Sequence, residues 1–182
     1  MSKFYVFMAD GFEEIEALAP IDILRRAGAD VALVAVGSEH VTGAHGVTVV
    51  APDRVERITE DDWIVLPGGM PGASNLAACE WLDAALKAHA AAGGNIAAIC
   101  ASPAVVLASK GIVNDRLATC YPGFEQQLIA GGANYVETGV VVDDNIITAP
   151  GPGYAIEFGL TIVEQAFGEA AADDVAAGML LK

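Results

Sequence analysis

The chain has 182 residues, 54% of them hydrophobic, and a net charge of −15. Nine basic residues against 24 acidic ones leave no cationic stripe, which excludes nucleic acid and anionic membrane surfaces as partners. No apolar run reaches the roughly 18 residues a membrane span needs, and this length reads as a single domain over 1–182, able to bury roughly 70% of its unfolded surface.

Residues 4–8 form an apolar run followed at once by Asp10, Glu13 and Glu14. This reads as the first strand of a cytoplasmic protein and not as a signal peptide. A helix is predicted over about 14–27, strands over 31–36 and 63–66, and a shorter strand over 47–50. Then come a helix over 81–91, a strand over 96–99 and a helix over 101–108. Residues 135–142 read as short strands or a hairpin with a turn at Asp143-Asp144. A strand over 146–148 and a helix over 156–167 complete the pattern. Alternating strands and helices imply an α/β fold: a mostly parallel sheet with helices on both faces.

Open α/β sheets bind ligands outside the carboxyl ends of their strands. Four strand-to-helix loops there carry unusual residues: Asp10-Gly11-Phe12-Glu13-Glu14, Pro67-Gly68-Gly69-Met70-Pro71-Gly72, Cys100-Ala101-Ser102-Pro103 and Pro150-Gly151-Pro152-Gly153. Cys100 ends a buried strand. Ser102 and Pro103 suit the first turn of a helix, and the small Ala98 and Ser102 flank a sharp turn. A helix N-terminus favours negative charge, so the thiol is expected to have a lowered pKa. A buried cysteine serving only as a small hydrophobe is the alternative. Cys79 and Cys120 carry weaker signals, and no CxxC pair exists. With His40, His45 and His89 scattered, zinc-ligand spacing is missing, so neither a metal nor a cofactor is expected.

On a helical wheel of the first helix, Glu14 lies at the rim of a charged face with Asp22, Arg25 and Arg26. It reads as an acid near a helix N-terminus, pairing with arginines. Glu13 and Glu16 fall within the apolar arc. Burial would raise the pKa of Glu16 and let it donate a hydrogen bond to a thiolate; local capping is the other reading. The glycine loop after residue 66 lacks the Lys-Ser/Thr ending of a phosphate-binding loop. Either it is a plain turn, or the N–H groups of Gly69 and Ala101 form an oxyanion hole.

Five segments, in order along nearly the whole chain, resemble the ThiJ/PfpI superfamily in its parkinsonism-associated deglycase-like branch. They are Ala9-Asp10-Gly11-Phe12-Glu13-Glu14-Ile15-Glu16, Arg25-Arg26-Ala27-Gly28, Leu66-Pro67-Gly68-Gly69, Ala97-Ala98-Ile99-Cys100-Ala101-Ser102-Pro103, and Gly151-Pro152-Gly153 leading to Glu157-Phe158. The resemblance implies a flavodoxin-like sandwich of the class I glutamine amidotransferase-like kind, forming a homodimer. It implies that Cys100 is the reactive cysteine, Glu16 its protonated partner, and Gly69 and Ala101 the backbone oxyanion positions. The activities it implies are glyoxalase without glutathione, deglycation of glycated proteins, oxidation sensing and chaperone-like holding.

This chain departs from the family's pattern. Many members place a histidine near the thiol where Tyr121 stands here. A phenol is a poorer base at neutral pH, which leaves Tyr121 to orient substrate. Ala101 replaces the histidine of the protease-like branch, which argues against a cysteine peptidase. Where some relatives carry arginine this chain has His45, which reads as a solvated loop histidine. The reading that results is a cysteine-dependent protein acting on small reactive aldehydes or glycated substrates through Cys100, Glu16, Gly69, Ala101 and Tyr121. A non-enzymatic oxidation sensor or redox-regulated chaperone using a Cys100 sulfinate is the alternative.

Overall fold

The computed structural model describes residues 2–181. The chain opens with β1 (Lys3–Met8), α1 (Glu14–Arg26), β2 (Asp30–Ala35) and a hairpin of β3 (His40–Thr42) and β4 (Thr48–Val50). Next come β5 (Trp63–Leu66), α2 (Gly72–Ala78), α3 (Glu80–Ala91), β6 (Asn95–Ile99), β7 (Leu117–Ala118) and α4 (Glu125–Ala130). It closes with β8 (Asn134–Tyr135), β9 (Val141–Asp143), β10 (Ile146–Ala149), α5 (Ala155–Phe167) and α6 (Glu169–Gly178).

Six strands form the central sheet in the order β2-β1-β5-β6-β10-β9. Neighbours run parallel except β9, which is antiparallel to β10. The expected mostly parallel α/β sheet is therefore present. Every residue of β5 is buried, as are Phe4 to Met8 of β1. Such continuous apolar strands require cover on both faces; a sheet wet on one face would alternate.

The helices dock through small residues. A Cβ on Gly159 of α5 would lie 2.8 Å from Ile23 Cδ1 and 3.2 Å from the Pro20 Cα of α1. Glycine there lets the two helices pack closely. Glu13 caps α1, its Oε2 accepting the Glu16 N–H at 2.8 Å. Gly28, at φ +80°, turns the chain out of the helix with its N–H on Arg25 O.

Several boundaries differ from the sequence-based expectations. The helix expected over 101–108 is a π-helical turn over Pro103–Leu107, followed by a 3-10 turn over Ala108–Lys110. Its carbonyls are taken five residues on: Ala108 N–H donates to Pro103 O and Ile112 N–H to Leu107 O. The strand expected over 47–50 is β4, paired with the unanticipated β3. In the 135–142 region, β8 pairs with β7 while β9 returns against β10. Asp143 is itself paired with Ile146, so the turn falls one residue later, with Asp144 at φ +55°. The helices α2, α4 and α6 were not anticipated.

Candidate active site

Loops from the carboxyl ends of β1, β5, β6 and β10 meet at Cys100. Its N–H donates to Ala149 O at 2.8 Å, and its carbonyl accepts the Tyr121 N–H at 2.8 Å. Glu13 N–H donates to Gly68 O at 3.0 Å, and Gly72 N–H to Gly11 O at 3.1 Å.

The Cys100 backbone lies at φ +66°. An L-residue adopts this left-handed conformation at a cost of roughly 1–2 kcal/mol, and the two backbone bonds on either side hold it there. The turn aims the side chain at the β5 loop. A Cβ on Gly68 would lie 2.6 Å from Cys100 Cβ, 3.0 Å from its Sγ and 2.7 Å from Glu16 Oε2. Only glycine leaves room for sulfur and carboxyl to share this space. Gly69 is constrained further: its φ is +86°, and a Cβ would strike the Gly11–Glu13 backbone.

Glu16 is fully buried, and its Oε2 accepts the Gly68 N–H at 2.8 Å. Its Oε1 has no hydrogen-bond partner. Burial pushes its pKa up to about 7 against the opposing pull of Cys100 and the Gly68 N–H. The expected burial of Glu16 is thus present, with the expected upward shift of its pKa. The expected lowering of the thiol pKa is not. Cys100 is 8% exposed; burial, then the facing Glu16 carboxylate, pushes its thiol up to about 12. The N–H groups of Gly69 and Ala101 pull the other way, stabilising the thiolate, but do not prevail. The short π turn beyond Cys100 cannot offset removal from water. Across Gly68 the two groups act on each other in opposite senses: the thiol draws the Glu16 pKa down, and the carboxylate drives the Cys100 pKa up.

Ala101 is buried. Tyr121 is 44% exposed and meets the site through its backbone bond to Cys100, while its ring packs beside Gly151. Cys120 is buried, and its pKa too is pushed up to about 12 by burial; Cys79 caps α3 and is half-buried. All three thiols are free.

Glu14 requires a correction. It does not pair with arginines: Arg26 holds Asp22 at 2.6 Å, and Arg25 donates to Val31 O at 3.4 Å. Glu14 instead turns inward and accepts the His45 N–H at 2.7 Å, with His45 Nδ1 2.8 Å from its other oxygen. Burial opposes ionisation, yet these bonds hold its carboxyl below the usual range. His45 is solvent-exposed, as expected, but tethered.

Two further buried hydroxyls position the site. Ser102 Oγ donates to Pro67 O at 2.6 Å, tying the turn after Cys100 to the glycine loop. Thr148 Oγ1 accepts the Thr119 N–H at 3.0 Å, anchoring the loop that carries Tyr121. The sequence marked Ser102 as small and suited to a first helical turn; no local pattern reveals either bond.

No helix among the described residues is long and apolar enough to cross a membrane. Residues 2–165 match the model of the DJ-1/PfpI family. Over 178 residues the chain is 42% identical to Protein DJ-1 homolog A of Arabidopsis thaliana, covering 96% of this chain but 45% of that protein. The chain thus spans under half the length of the Arabidopsis relatives it matches. It is 40% identical over 154 residues to the Glutathione-independent glyoxalase DJR-1.2 of Caenorhabditis elegans, covering 84% of this chain and 81% of that one. The solved structure of oxidized Toxoplasma gondii DJ-1 superposes with a TM-score of 0.93 at 42% identity, covering 100% and 99% of the two chains. By the family model spanning residues 2–165 and by these relatives, the chain belongs to the DJ-1/PfpI family.

Proposed function

We propose that the protein converts small α-oxoaldehydes into 2-hydroxy acids, with Cys100 as nucleophile and Glu16 as acid–base. The observation that carries this reading is the fully buried Glu16, its Oε1 unpartnered, facing a thiol across Gly68. A thiol pushed up to about 12 offers little free thiolate at neutral pH. A carboxyl near 7 is well matched to take its proton as attack proceeds. Sulfur bonds to the aldehyde carbon, and the thiol proton passes through Glu16 to the former carbonyl oxygen, giving a hemithioacetal and a free Glu16 carboxylate. Glu16 then moves the proton from that carbon to its neighbour through an enediol, leaving a thioester. Water cleaves the thioester, releasing the hydroxy acid and restoring the thiol. The N–H groups of Gly69 and Ala101, which pull the thiol pKa down, would stabilise a negative oxygen formed beside the sulfur. Tyr121 would orient substrate from the rim. The 40% identical relative named a glutathione-independent glyoxalase supports this class of reaction.

Incubation with methylglyoxal is expected to yield lactate, and Cys100→Ala to abolish it. No lactate from the intact protein would end this reading. A second reading, an oxidation sensor or redox-regulated holdase, draws on the same N–H groups, which would hold a Cys100 sulfinate. Mild peroxide followed by mass spectrometry should then add two oxygens at Cys100 ahead of Cys79 and Cys120. Equal oxidation of all three thiols would remove this reading. The protein is proposed to act in the cytoplasm as a homodimer. Ile15 and Val50, 55% and 51% exposed, offer apolar surface to a second copy. Sedimentation is expected to give twice the chain mass.

A further inference from the structure

We propose that Glu13 is a positioning residue for Glu16: it closes a ring of hydrogen bonds that fixes the carboxyl facing Cys100, and it sets a second carboxylate beside that one. The inference rests on Glu16 as the acid–base group of the reaction proposed above.

The ring is complete in the backbone and side chains of Glu13, Glu16 and Gly68. Glu13 N–H donates to Gly68 O at 3.0 Å, Gly68 N–H donates to Glu16 Oε2 at 2.8 Å, and Glu16 N–H donates to Glu13 Oε2 at 2.8 Å. In an ordinary capping box the side chain at the third helical position bonds the N-cap N–H directly. Here the Gly68 peptide is inserted between the two, so the first turn of α1 grips both polar groups of that peptide. Gly69 follows at φ +86°, and a Cβ there would overlap the Glu13 nitrogen. The ring occupies Glu16 Oε2 and leaves Oε1 without a partner.

Capping alone does not call for glutamate. N-caps are most often Ser, Thr, Asp or Asn, and a neutral oxygen would close the same ring. Glu13 is buried, and its carboxylate adds a like charge next to Glu16. Burial is the main cause that raises the Glu16 pKa, and the Glu13 charge adds to it, against Cys100 and the Gly68 N–H. Those are the groups that face Glu16: Cys100 from the turn after β6, the Gly68 N–H from the β5 loop, and Glu13 from the cap of its own helix. Behind Glu13 the hairpin loop brings His45, whose Nδ1 is 3.9 Å from Glu13 Oε1 but 2.8 Å from Glu14 Oε2. Glu14 takes the closer contact and leaves the Glu13 charge to act on Glu16. Glu16 therefore keeps its proton to higher pH, in one orientation.

Two variants separate charge from placement. Glu13→Gln keeps an oxygen for the Glu16 N–H and loses the charge; Glu13→Ala loses both. Carbon-13 NMR of the glutamate carboxyl carbons in the full chain follows Glu16, its signal assigned by its loss in Glu16→Gln. In Glu13→Gln the Glu16 titration midpoint should fall by about one pH unit. With methylglyoxal, the lower pH limb of kcat/KM should move down with it. Glu13→Ala should lose kcat by about tenfold or more with KM little changed. An unchanged or raised midpoint in Glu13→Gln would overturn the proposal, as would wild-type kcat in Glu13→Ala. Absence of lactate from the intact protein would strike the reaction alone; the midpoint, which needs no aldehyde and is read on a chain that keeps its cap, then decides on Glu13.

Discussion

Replacing Glu16 by glutamine should make the protein more stable, but only at neutral and higher pH. Burial raises the Glu16 pKa from 4.5 to about 7. A group whose folded pKa is raised binds its proton more tightly when folded, so stability is highest below pH 4.5 and falls as pH rises toward 7. At 1.36 kcal/mol per pKa unit, the full loss above that pH is about 3 kcal/mol. Glutamine keeps an oxygen for the Gly68 N–H, which Glu16 Oε2 now accepts at 2.8 Å, and never ionises. Glu16→Gln should therefore match the wild type near pH 4.5 and exceed it by about 3 kcal/mol at pH 8. For a chain this size that is roughly 6–12 °C in Tm. Urea unfolding at pH 4.5, 6 and 8 reads the difference directly. A gap between the two proteins that does not change with pH would refute the reasoning, because lost packing carries no pH dependence and lost ionisation must.

Gly68→Ala should cost about 1–3 kcal/mol through overpacking and slow Cys100 alkylation, since the new methyl group meets Cys100 Cβ at 2.6 Å and Glu16 Oε2 at 2.7 Å; wild-type stability would mean the loop gives way freely. Ser102→Ala leaves the buried Pro67 carbonyl without its 2.6 Å partner, so unfolding free energy should fall by about 1–3 kcal/mol. His89 is 4% exposed, with Nε2 3.1 Å from Asn95 O, and burial lowers its pKa. The unfolded chain therefore takes up this proton first as pH falls below 6.5, and stability drops there. His89→Gln should remove that part of the acid loss in thermal melts at pH 5 and pH 7.5.

The strands were legible because burial on both faces leaves unbroken apolar runs, as in Trp63–Leu66. The first helix was legible because its wheel separates Asp22 from Ile23 and Leu24. Glu16 stood out for the same reason: a carboxyl on an apolar arc is an anomaly that a wheel exposes. What escaped was short or assembled by the fold. The helix α2 spans seven residues of modest propensity, Gly-Ala-Ser-Asn-Leu-Ala-Ala, and follows Pro71. The strands β7 and β8 are two residues each and exist only as partners. In α6 only Ala172 and Val175 are buried, too few to mark a face. The Glu14–His45 contact and the Ser102–Pro67 bond join residues 31 and 35 apart, beyond any local pattern. The thiol pKa was misread because the helix terminus was weighed above the burial of the strand that Cys100 ends, and because the facing Glu16 carboxylate is brought to the sulfur only by the fold.

The loops that enclose Cys100 come from nearly the full length of the chain: its N–H bond needs Ala149, its carbonyl bond needs Tyr121, and its neighbouring carboxyl comes from Glu16. During synthesis the N-terminal parts are made first. Until residue 149 has been added and β10 has joined β6, the sulfur is an ordinary cysteine in an incomplete sheet, open to solvent and with an ordinary pKa. Enclosure of the thiol is therefore among the last results of folding. Slow reaction with a small alkylating reagent, expected from the raised thiol pKa, would report that the whole sheet is in place, which no measurement on an N-terminal fragment could do.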